Sequence, residues 1–142
     1  MQKAGWRSAS LLAALTVVSA SVLGASLHGA PPPPAVQASN AGGVTVKVTP
    51  RDLRSGVPSW DFDVTLETHT RPLDQDMAGV AWLVDSQGKS HAPLAWDGDP
   101  PGGHHRRGLL RFRPLAGNPA TVMLEIRNVG GVAVRNFRWR RD

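Results

Sequence analysis

Three of the five histidines and four of the nine aspartates of this sequence, residue types that can ligate metal ions or contact a partner, lie in two short stretches. His69, Asp74 and Asp76 make up the first stretch, and residues 97–106, which read DGDPPGGHHR, make up the second. Imidazole nitrogens suit zinc or copper(II), whereas carboxylate oxygens suit calcium. The chemistry open to the protein therefore depends on whether its fold brings the two stretches together.

A metal site is one hypothesis for these residues, although no spacing among them is diagnostic of a particular ion. Three ligands drawn from the histidines and a nearby aspartate would suit zinc or copper, and the two Asp-x-Asp pairs would offer oxygens to calcium. Adjacent histidines in a strand point to opposite faces, so both could reach one ion only if the backbone bends at Gly102-Gly103. The candidate ligands are His69, Asp74, Asp76, Asp97, Asp99, His104 and His105.

A binding loop is the second hypothesis for the same part of the chain. The run Asp-Pro-Pro-Gly-Gly joins a rigid turn to a flexible one, and a tryptophan flanks it. A loop displayed on a stiff framework is a frequent means of recognising a partner. The candidate contact residues are Trp96, Asp97, Asp99, His104, His105, Arg106 and Arg135.

A purely structural role is the third interpretation of these side chains. Aspartates cap turns with their own oxygens, and glycine and proline begin and end such turns. On this view His69 and His104 hydrogen-bond across the loops, and Arg135 neutralises a carboxylate.

Catalysis finds little support in the sequence. The chain has no cysteine, which excludes a thiol nucleophile. No serine lies near the loop histidines in the predicted fold, so no Ser-His-Asp arrangement can be proposed. Paired aspartates alone do not make a glycosidase, because such an enzyme also needs a substrate cleft. The sequence therefore predicts a protein that is not an enzyme.

The elements that must position these residues are strands, because apolar and polar residues alternate along seven segments. Seven short strands separated by turns predict an all-β fold, an antiparallel β-sandwich of the immunoglobulin or fibronectin type. Trp82 on the third strand would then take the place of the buried tryptophan of that fold. The strands, lettered A to G, cover residues 44–49, 60–67, 78–84, 90–96, 110–113, 122–126 and 132–140.

The connection between strands F and G predicts a tight hairpin. Gly130-Gly131 suits a two-residue type I′ turn, in which both central residues need positive φ. That turn places Leu124 opposite Phe137 and Val122 opposite Trp139, so the apolar faces of both strands coincide.

The seven-strand order also predicts where the two polar stretches lie. The B–C, D–E and F–G loops would share one end of the sandwich. His69 and the first aspartates would meet the second stretch there, and Arg135 would lie nearby on the inward face of strand G. Strand B would pair with strand E, and its outward acids would face the outward arginines of E across the ladder. These acids are Asp61, Asp63 and Glu67, and the arginines are Arg107, Arg111 and Arg113.

Charge gives only weak information about partners. Without Lys3 and Arg7, 14 basic and 11 acidic side chains remain, which is ordinary for a soluble surface. Nucleic acid is not an expected partner, because its binding needs aromatic residues on an exposed basic face, and Phe137 and Trp139 are predicted to point inward. An envelope protein or a polymer fits this composition better.

The N-terminal region is typical of an exported protein. A short basic segment precedes an apolar stretch with small residues, so residues 1–30 are predicted to be a secretory signal peptide or, alternatively, an uncleaved membrane anchor. Residues 31–43, rich in proline and glycine, are predicted to be a linker, and residues 44–142 the sandwich domain. The membrane would be contacted only through an uncleaved N-terminal segment.

The runs WDFDVTLETHT (residues 60–70) and WDGDPPGGHHRRGLLRF (residues 96–112) resemble small exported bacterial immunoglobulin-like β-sandwich domains of uncharacterised function. The resemblance implies the fold and export, and it brings no catalytic or binding residues with it. We therefore expect a periplasmic or secreted, non-catalytic interaction domain of the cell envelope that presents its B–C and D–E loops to a partner. The alternative is a domain that binds zinc, copper or calcium through its loop histidines and aspartates.

Overall fold

The computed structural model describes residues 34–141. The predicted signal peptide or anchor and the first residues of the predicted linker lie outside this range, as does Asp142. The described chain contains one helix, a single turn, and none of its helical residues form a segment long and apolar enough to cross a membrane.

Residues 34–141 are almost entirely β-structure, arranged in two antiparallel sheets. The first sheet has the strand order β1-β2-β3-β7-β6, and the second has the order β5-β4-β8-β9. The elements are β1 (Gln37–Ala41), β2 (Val44–Pro50), β3 (Trp60–Thr68), α1 (Met77–Val80), β4 (Ala81–Val84), β5 (Ser90–His91), β6 (Ala95–Gly98), β7 (His105–Phe112), β8 (Thr121–Val129) and β9 (Val132–Arg140).

The core lies between the inward faces of the two sheets. Every second residue of β3 from Trp60 to Thr68 is buried, as the alternation predicts. Phe62 packs edge-on against Phe112 of its own sheet, with ring centroids 5.8 Å apart, and against Trp139 of the other sheet at 5.5 Å. Burying a large apolar side chain stabilises the fold by about 1.5–3 kcal/mol. This core therefore holds the two sheets together without disulfides.

The predicted hairpin between the last two strands is confirmed residue by residue. Val122 lies opposite Trp139, and Leu124 lies opposite Phe137. The turn residues Gly130-Gly131 have φ values of 64° and 72°, the positive values that a type I′ turn requires. The pairing of predicted strands B and E is also confirmed, since β3 and β7 are antiparallel neighbours.

The predicted charge ladder between B and E is wrong in part. Asp61 does lie opposite Arg111, with 3.9 Å between the carboxylate and the guanidinium. Asp63, however, lies opposite Leu109, and its carboxylate binds Arg51 at 2.8 and 2.9 Å. The partner comes from the loop after β2 because the neighbouring position on β7 offers no cation.

Residues 34–141 contain nine strands rather than seven, and one extra strand lies in the predicted linker. β1 pairs with β2 along its whole length, from Gln37 opposite Val48 to Ala41 opposite Val44. Gly42-Gly43 is the turn of this hairpin, with φ values of 59° and 72°. The segment QASNA has no apolar alternation, and its burial is low throughout, so the pattern that identified the other strands is missing here.

β1 also reaches across to the outer edge of β9. The side-chain oxygen of Gln37 accepts a hydrogen bond from the Arg138 backbone N–H at 2.9 Å, and the Gln37 amide donates to the Arg138 carbonyl. The indole N–H of Trp139 donates to the carbonyl of Ala35 at 2.8 Å. The chain before β2 is therefore bonded to both sheets.

The second extra strand arises because predicted strand D is divided between the sheets. β5 pairs with β4 in the second sheet, and β6 pairs with β7 in the first. Pro93 lies between them and cannot donate a ladder hydrogen bond, so continuous pairing with one neighbour ends there.

Predicted strand C is wrong in its register. A helical turn occupies Met77–Val80, because the Asp76 side chain accepts a hydrogen bond from the Ala78 N–H at 3.1 Å and caps the turn. β4 begins only after this turn, and its buried residues are Ala81, Leu83 and Val84. Trp82 consequently lies on the outer face, half-buried under a guanidinium, and does not take the place of a buried core tryptophan.

Candidate functional site

The two polar stretches meet at one end of the sandwich, through backbone hydrogen bonds between their loops. We call this region the loop end and define it as residues 69–76 and 99–104. The N–H of Leu73 donates to the carbonyl of Gly103, and the N–H of Gly102 donates to the carbonyl of Leu73, both at 2.9 Å. The N–H of Thr68 donates to the carbonyl of His104 at 2.9 Å. Three backbone bonds thus fix the two loops side by side.

Arg106 of β7 supports the loop end from the inner side, and it is buried rather than displayed. Its side chain points inward from β7, and only 2% of its surface is exposed. One terminal nitrogen donates to the carbonyls of Leu73 and Gln75, at 2.9 and 2.7 Å. The other donates to the carbonyl of Asp99 at 3.1 Å. A single guanidinium therefore joins both loops, and it is not available as a surface contact.

No carboxylate among the described residues forms a direct ion pair with the guanidinium of Arg106. Burial lowers the pKa of its guanidinium below the ordinary value, and the nearby carboxylates of Asp99 and Asp74 oppose that shift. The guanidinium carbon also lies 5.9 Å from the centroid of the Trp96 ring, within cation–π range. Carbonyl dipoles, an aromatic face and distant carboxylates together replace the water that this cation loses.

Two further candidate contact residues, Trp96 and Asp99, also serve the internal structure of the loop. The indole N–H of Trp96 donates to the carbonyl of Asp99 at 3.0 Å. The carboxylate of Asp99 accepts a hydrogen bond from the Arg107 N–H at 2.9 Å, and the two backbones pair at 3.0 Å. The turn that begins at Asp99 is therefore fixed by its own side chain.

Arg135 lies on the inward face of β9 near the Gly130-Gly131 turn, and only 2% of its surface is exposed. It donates to the backbone and hydroxyl oxygens of Ser39 at 3.0 and 2.9 Å. It also donates to the carbonyls of Ala41 at 2.6 Å and Val129 at 3.1 Å. The interpretation that Arg135 neutralises a carboxylate is wrong, because every one of these acceptors is uncharged.

The charge of Arg135 therefore depends on neutral oxygens alone. Burial lowers the pKa of its guanidinium, and no nearby carboxylate among the described residues opposes this. The bonds of Arg135 connect the β1–β2 hairpin to the β8–β9 hairpin. The two glycine turns of these hairpins are in contact, since a Cβ on Gly42 would overlap the carbonyl oxygen of Gly130. Arg135 is therefore a structural residue and not part of a displayed loop.

The candidate metal ligands do not converge. In residues 34–141 no group of three or more histidine, aspartate or glutamate side chains is placed to hold an ion. The rings of His69 and His105 are neighbours, with centroids 6.4 Å apart and nearly perpendicular planes. The aspartates are directed elsewhere, since Asp76 caps α1 and Asp97 lies 3.2 Å from the guanidinium of Arg111. Zinc, copper and calcium therefore find no assembled ligand set in this part of the chain.

Besides Asp76, Asp97 and Asp99, which contact neighbouring groups of the fold, four of the candidate residues are exposed at or beside the loop end. His69, Asp74, His104 and His105 all face outward. A depression of about 330 Å³ adjoins one of them, His105, on the first sheet. It is lined by Thr65, Glu67, Asp99, His105, Arg106 and Arg107.

One residue of the loop end was missed by the sequence reasoning. Leu73 is fully buried and exchanges two backbone hydrogen bonds with the facing loop, besides accepting one from Arg106. The available signal was a single leucine within the polar run HTRPLDQD. A lone apolar residue in such a run indicates a loop that is anchored to the core rather than free.

No protein-family model matches this chain, and neither a curated protein nor a solved structure matches it. The geometry of the loop end is therefore the main support for a function. This geometry combines a fixed backbone with exposed imidazoles.

Proposed function

We propose that the protein is an exported, non-catalytic interaction module of the cell envelope, and that it contacts its partner through the loop end. The observation that carries this proposal is that buried side chains fix the loops while other polar side chains of the same loops are exposed. Arg106 and Leu73 fix the two loops from inside, while three histidines and Asp74 face solvent. Such an arrangement suits recognition better than it suits the stability of the loops alone.

The strand order supports an immunoglobulin-like or fibronectin-like assignment for this module. β2, β3, β7 and β6 follow the order A-B-E-D, and β4, β8 and β9 follow C-F-G. In domains of that order the loops after strands B, D and F share one end and frequently bind partners. β1 and β5 are additions at the two edges.

Rigidity favours binding through these loops. A loop that must be ordered on association loses conformational entropy, which costs about 0.5–1.5 kcal/mol for each flexible side chain that becomes fixed. At the loop end the backbone is held before a partner arrives, by three backbone bonds and three bonds from Arg106. Folding therefore meets the cost of ordering the loop backbone, and binding would fix only the exposed side chains.

The exposed side chains define the kind of partner. His69, His104 and His105 can donate and accept hydrogen bonds, and Arg71 and Asp74 add one charge of each sign. A mixed polar surface of this kind suits a polar protein face or a neutral polymer. It does not favour nucleic acid, since the basic side chains there do not alternate with exposed aromatic rings.

Site-specific photo-crosslinking tests this proposal in cells that make the full chain. A photoreactive residue at His104 should give a defined adduct, which an excess of the purified domain should compete away. The same residue at Gln87, an exposed position in the turn after β4, is the matched control and should give no such adduct. Equal adducts at both positions would contradict a loop-end contact.

A variant with His69, His104 and His105 all changed to alanine provides the second arm. These side chains are exposed, so the melting temperature should stay close to that of the wild type. With the photoreactive residue at Asp74 instead, the otherwise wild-type chain should give the adduct, and the triple variant should not. If the triple variant retains the same adduct with the same yield, the imidazoles are not the contact.

A further inference from the structure

A separate cavity lies at the opposite end of the domain, away from the loop end. Its volume is about 540 Å³, which is within the usual range for small-molecule sites. The cavity is open to solvent, and it is lined by β5, the connection from β5 to β6 and the segment after β7. The cavity exists because β5 and β6 belong to different sheets, which leaves a gap where predicted strand D divides.

Apolar side chains cover most of the cavity wall. Leu94 lies in the connection between β5 and β6 and is 57% exposed, one of the few large apolar side chains in residues 34–141 with such exposure. Leu115 forms the floor and belongs to the core. An exposed leucine beside a buried one gives a ligand's apolar part a surface to cover.

Arg113 supplies a positive charge at the rim of this cavity. It follows the last residue of β7 and is exposed, and no carboxylate among the described residues forms an ion pair with it. By contrast, Arg111 two residues earlier contacts both Asp61 and Asp97. The guanidinium of Arg113 is therefore free to bind an anion.

His91 is the second polar group of the cavity, and a carboxylate outside the cavity fixes the orientation of its ring. One ring nitrogen lies 2.8 Å from the carboxylate of Asp85. The other oxygen of that carboxylate accepts backbone hydrogen bonds from Gln87 and Lys89, both at 2.9 Å. The carboxylate of Asp85 therefore forms its hydrogen bonds outside the cavity. No acidic side chain among the described residues lines the cavity itself.

We infer that this cavity binds a small monocarboxylic acid with an apolar body. The carboxylate would bind the guanidinium of Arg113, for which two parallel N–H donors are well matched. The body would cover Leu94 and Leu115. The inference does not depend on the proposed function, because the cavity and the loop end share no residue and lie at opposite ends of β7.

Octanoate is a suitable probe, with octylamine and octanol as ligands of the same length and different charge. Titrated into the isotope-labelled full chain, octanoate should give saturable NMR shifts at the amides of His91, Leu94 and Arg113. Octylamine should give none, and octanol should bind at least tenfold more weakly. Equal affinity for octanol and octanoate, or no saturable shift with octanoate at millimolar concentration, would overturn the inference.

Substitutions then separate charge from apolar contact. Arg113→Gln should weaken octanoate binding by about tenfold or more, because a hydrogen bond to a charged group is lost. Leu94→Ser should weaken octanoate and octanol alike. Arg107→Gln, in β7 and far from the cavity, is the matched control and should bind octanoate as the wild type does. If Arg113→Gln binds octanoate with unchanged affinity, the cavity does not recognise a carboxylate.

Discussion

Arg106 and Arg135 are buried to the same extent, on the inward faces of opposite sheets, yet they hold different parts of the molecule. Arg106 joins two long loops and lies near an aromatic ring and several carboxylates. Arg135 joins two short hairpins and bonds only to neutral oxygens. The first cation supports a surface that is displayed, whereas the second supports the closure of the sandwich.

The comparison shows what a buried arginine can do without an acidic partner. Its several N–H donors satisfy carbonyls that loops and turns would otherwise leave unpaired. An arginine that is close to a polar loop in sequence can therefore be the support of that loop and not its contact surface. Four experiments would test this comparison.

The largest expected effect is that of Arg106→Ala. It removes three hydrogen bonds to buried or half-buried carbonyls and leaves a cavity beneath both loops, so the free energy of unfolding should fall by about 3–5 kcal/mol. Urea unfolding followed by tryptophan fluorescence measures it. The exposed neighbour Arg107→Ala should stay within about 0.5 kcal/mol of the wild type. A loss at Arg106 no larger than that at Arg107 would show that the loops do not depend on this side chain.

Arg135→Ala should cost somewhat less, about 2–4 kcal/mol, because the change at Arg106 also removes the contact of its guanidinium with the Trp96 ring. Its effect should be concentrated in β1, which has no fully buried side chain of its own. Amide hydrogen exchange should therefore speed up across Gln37–Ala41 in this variant, and not in Arg106→Ala. Uniform faster exchange throughout both variants would remove the distinction between the two arginines.

Glycine substitutions in the two hairpin turns come next in size. Gly42→Ala should destabilise by about 2–3 kcal/mol, because its positive φ strains a non-glycine residue and its Cβ would overlap the Gly130 carbonyl. Gly131→Ala carries the same type of strain but meets no other atom, so it should cost about 1–2 kcal/mol. Equal melting temperatures for the two variants would mean that the turns do not press against each other.

The smallest expected effect is that of low pH on the contribution of the buried arginines to stability. Hydrogen bonds from Arg54 lower the pKa of Asp52 to about 2, and the bond to His91 lowers the pKa of Asp85. A carboxyl whose folded pKa is lowered stabilises the fold above its unfolded pKa and loses that contribution as pH falls toward the folded value. Wild-type stability should therefore decline between about pH 4 and pH 2.

The carbonyls around Arg135 do not titrate, so the destabilisation caused by Arg135→Ala should be the same at pH 7 and pH 3. Urea unfolding of both proteins at the two pH values checks this, and the wild-type decline cancels in the difference. A destabilisation that shrinks at pH 3 would reveal an acidic partner of Arg135.

Much of the fold could be predicted because burial and alternation coincide in its longest strands. The register of β8 and β9 followed from one glycine pair and two apolar faces. The same dipeptide at Gly42-Gly43 also forms a hairpin turn, yet the proline- and glycine-rich sequence before β2 predicts a linker there. The difference lies in the strand before it, since β1 is polar, lies at an edge and buries nothing that a pattern could detect.

The register of β4 could not be predicted because a local capping interaction decides it. Apolar residues alternate as in a strand at Ala78, Val80, Trp82 and Val84. The Asp76 cap nevertheless places the first two of them in the helical turn Met77–Val80. The following strand starts one position out of phase. Alternation over four residues therefore does not outweigh one side-chain bond to the backbone.

The meeting of the two polar stretches could be inferred from strand order, but the roles of their residues could not. Asp99 and Arg106 belong to types that commonly bind partners, and both are engaged in internal hydrogen bonds. Whether a polar side chain points into or out of a loop depends on the loop backbone, which follows no periodic pattern. His104 and His105 remain as the displayed members of that stretch.

The side chain of Gln37 has a consequence for self-association. The outer edge of a terminal strand carries unpaired N–H and C=O groups, which offer a growing fibril a template. The Gln37 carboxamide occupies both groups of Arg138, toward the C-terminal end of β9 on the second sheet's long edge. An incoming strand thus meets an interrupted row of donors and acceptors, and one amide side chain keeps this edge from propagating into an intermolecular sheet.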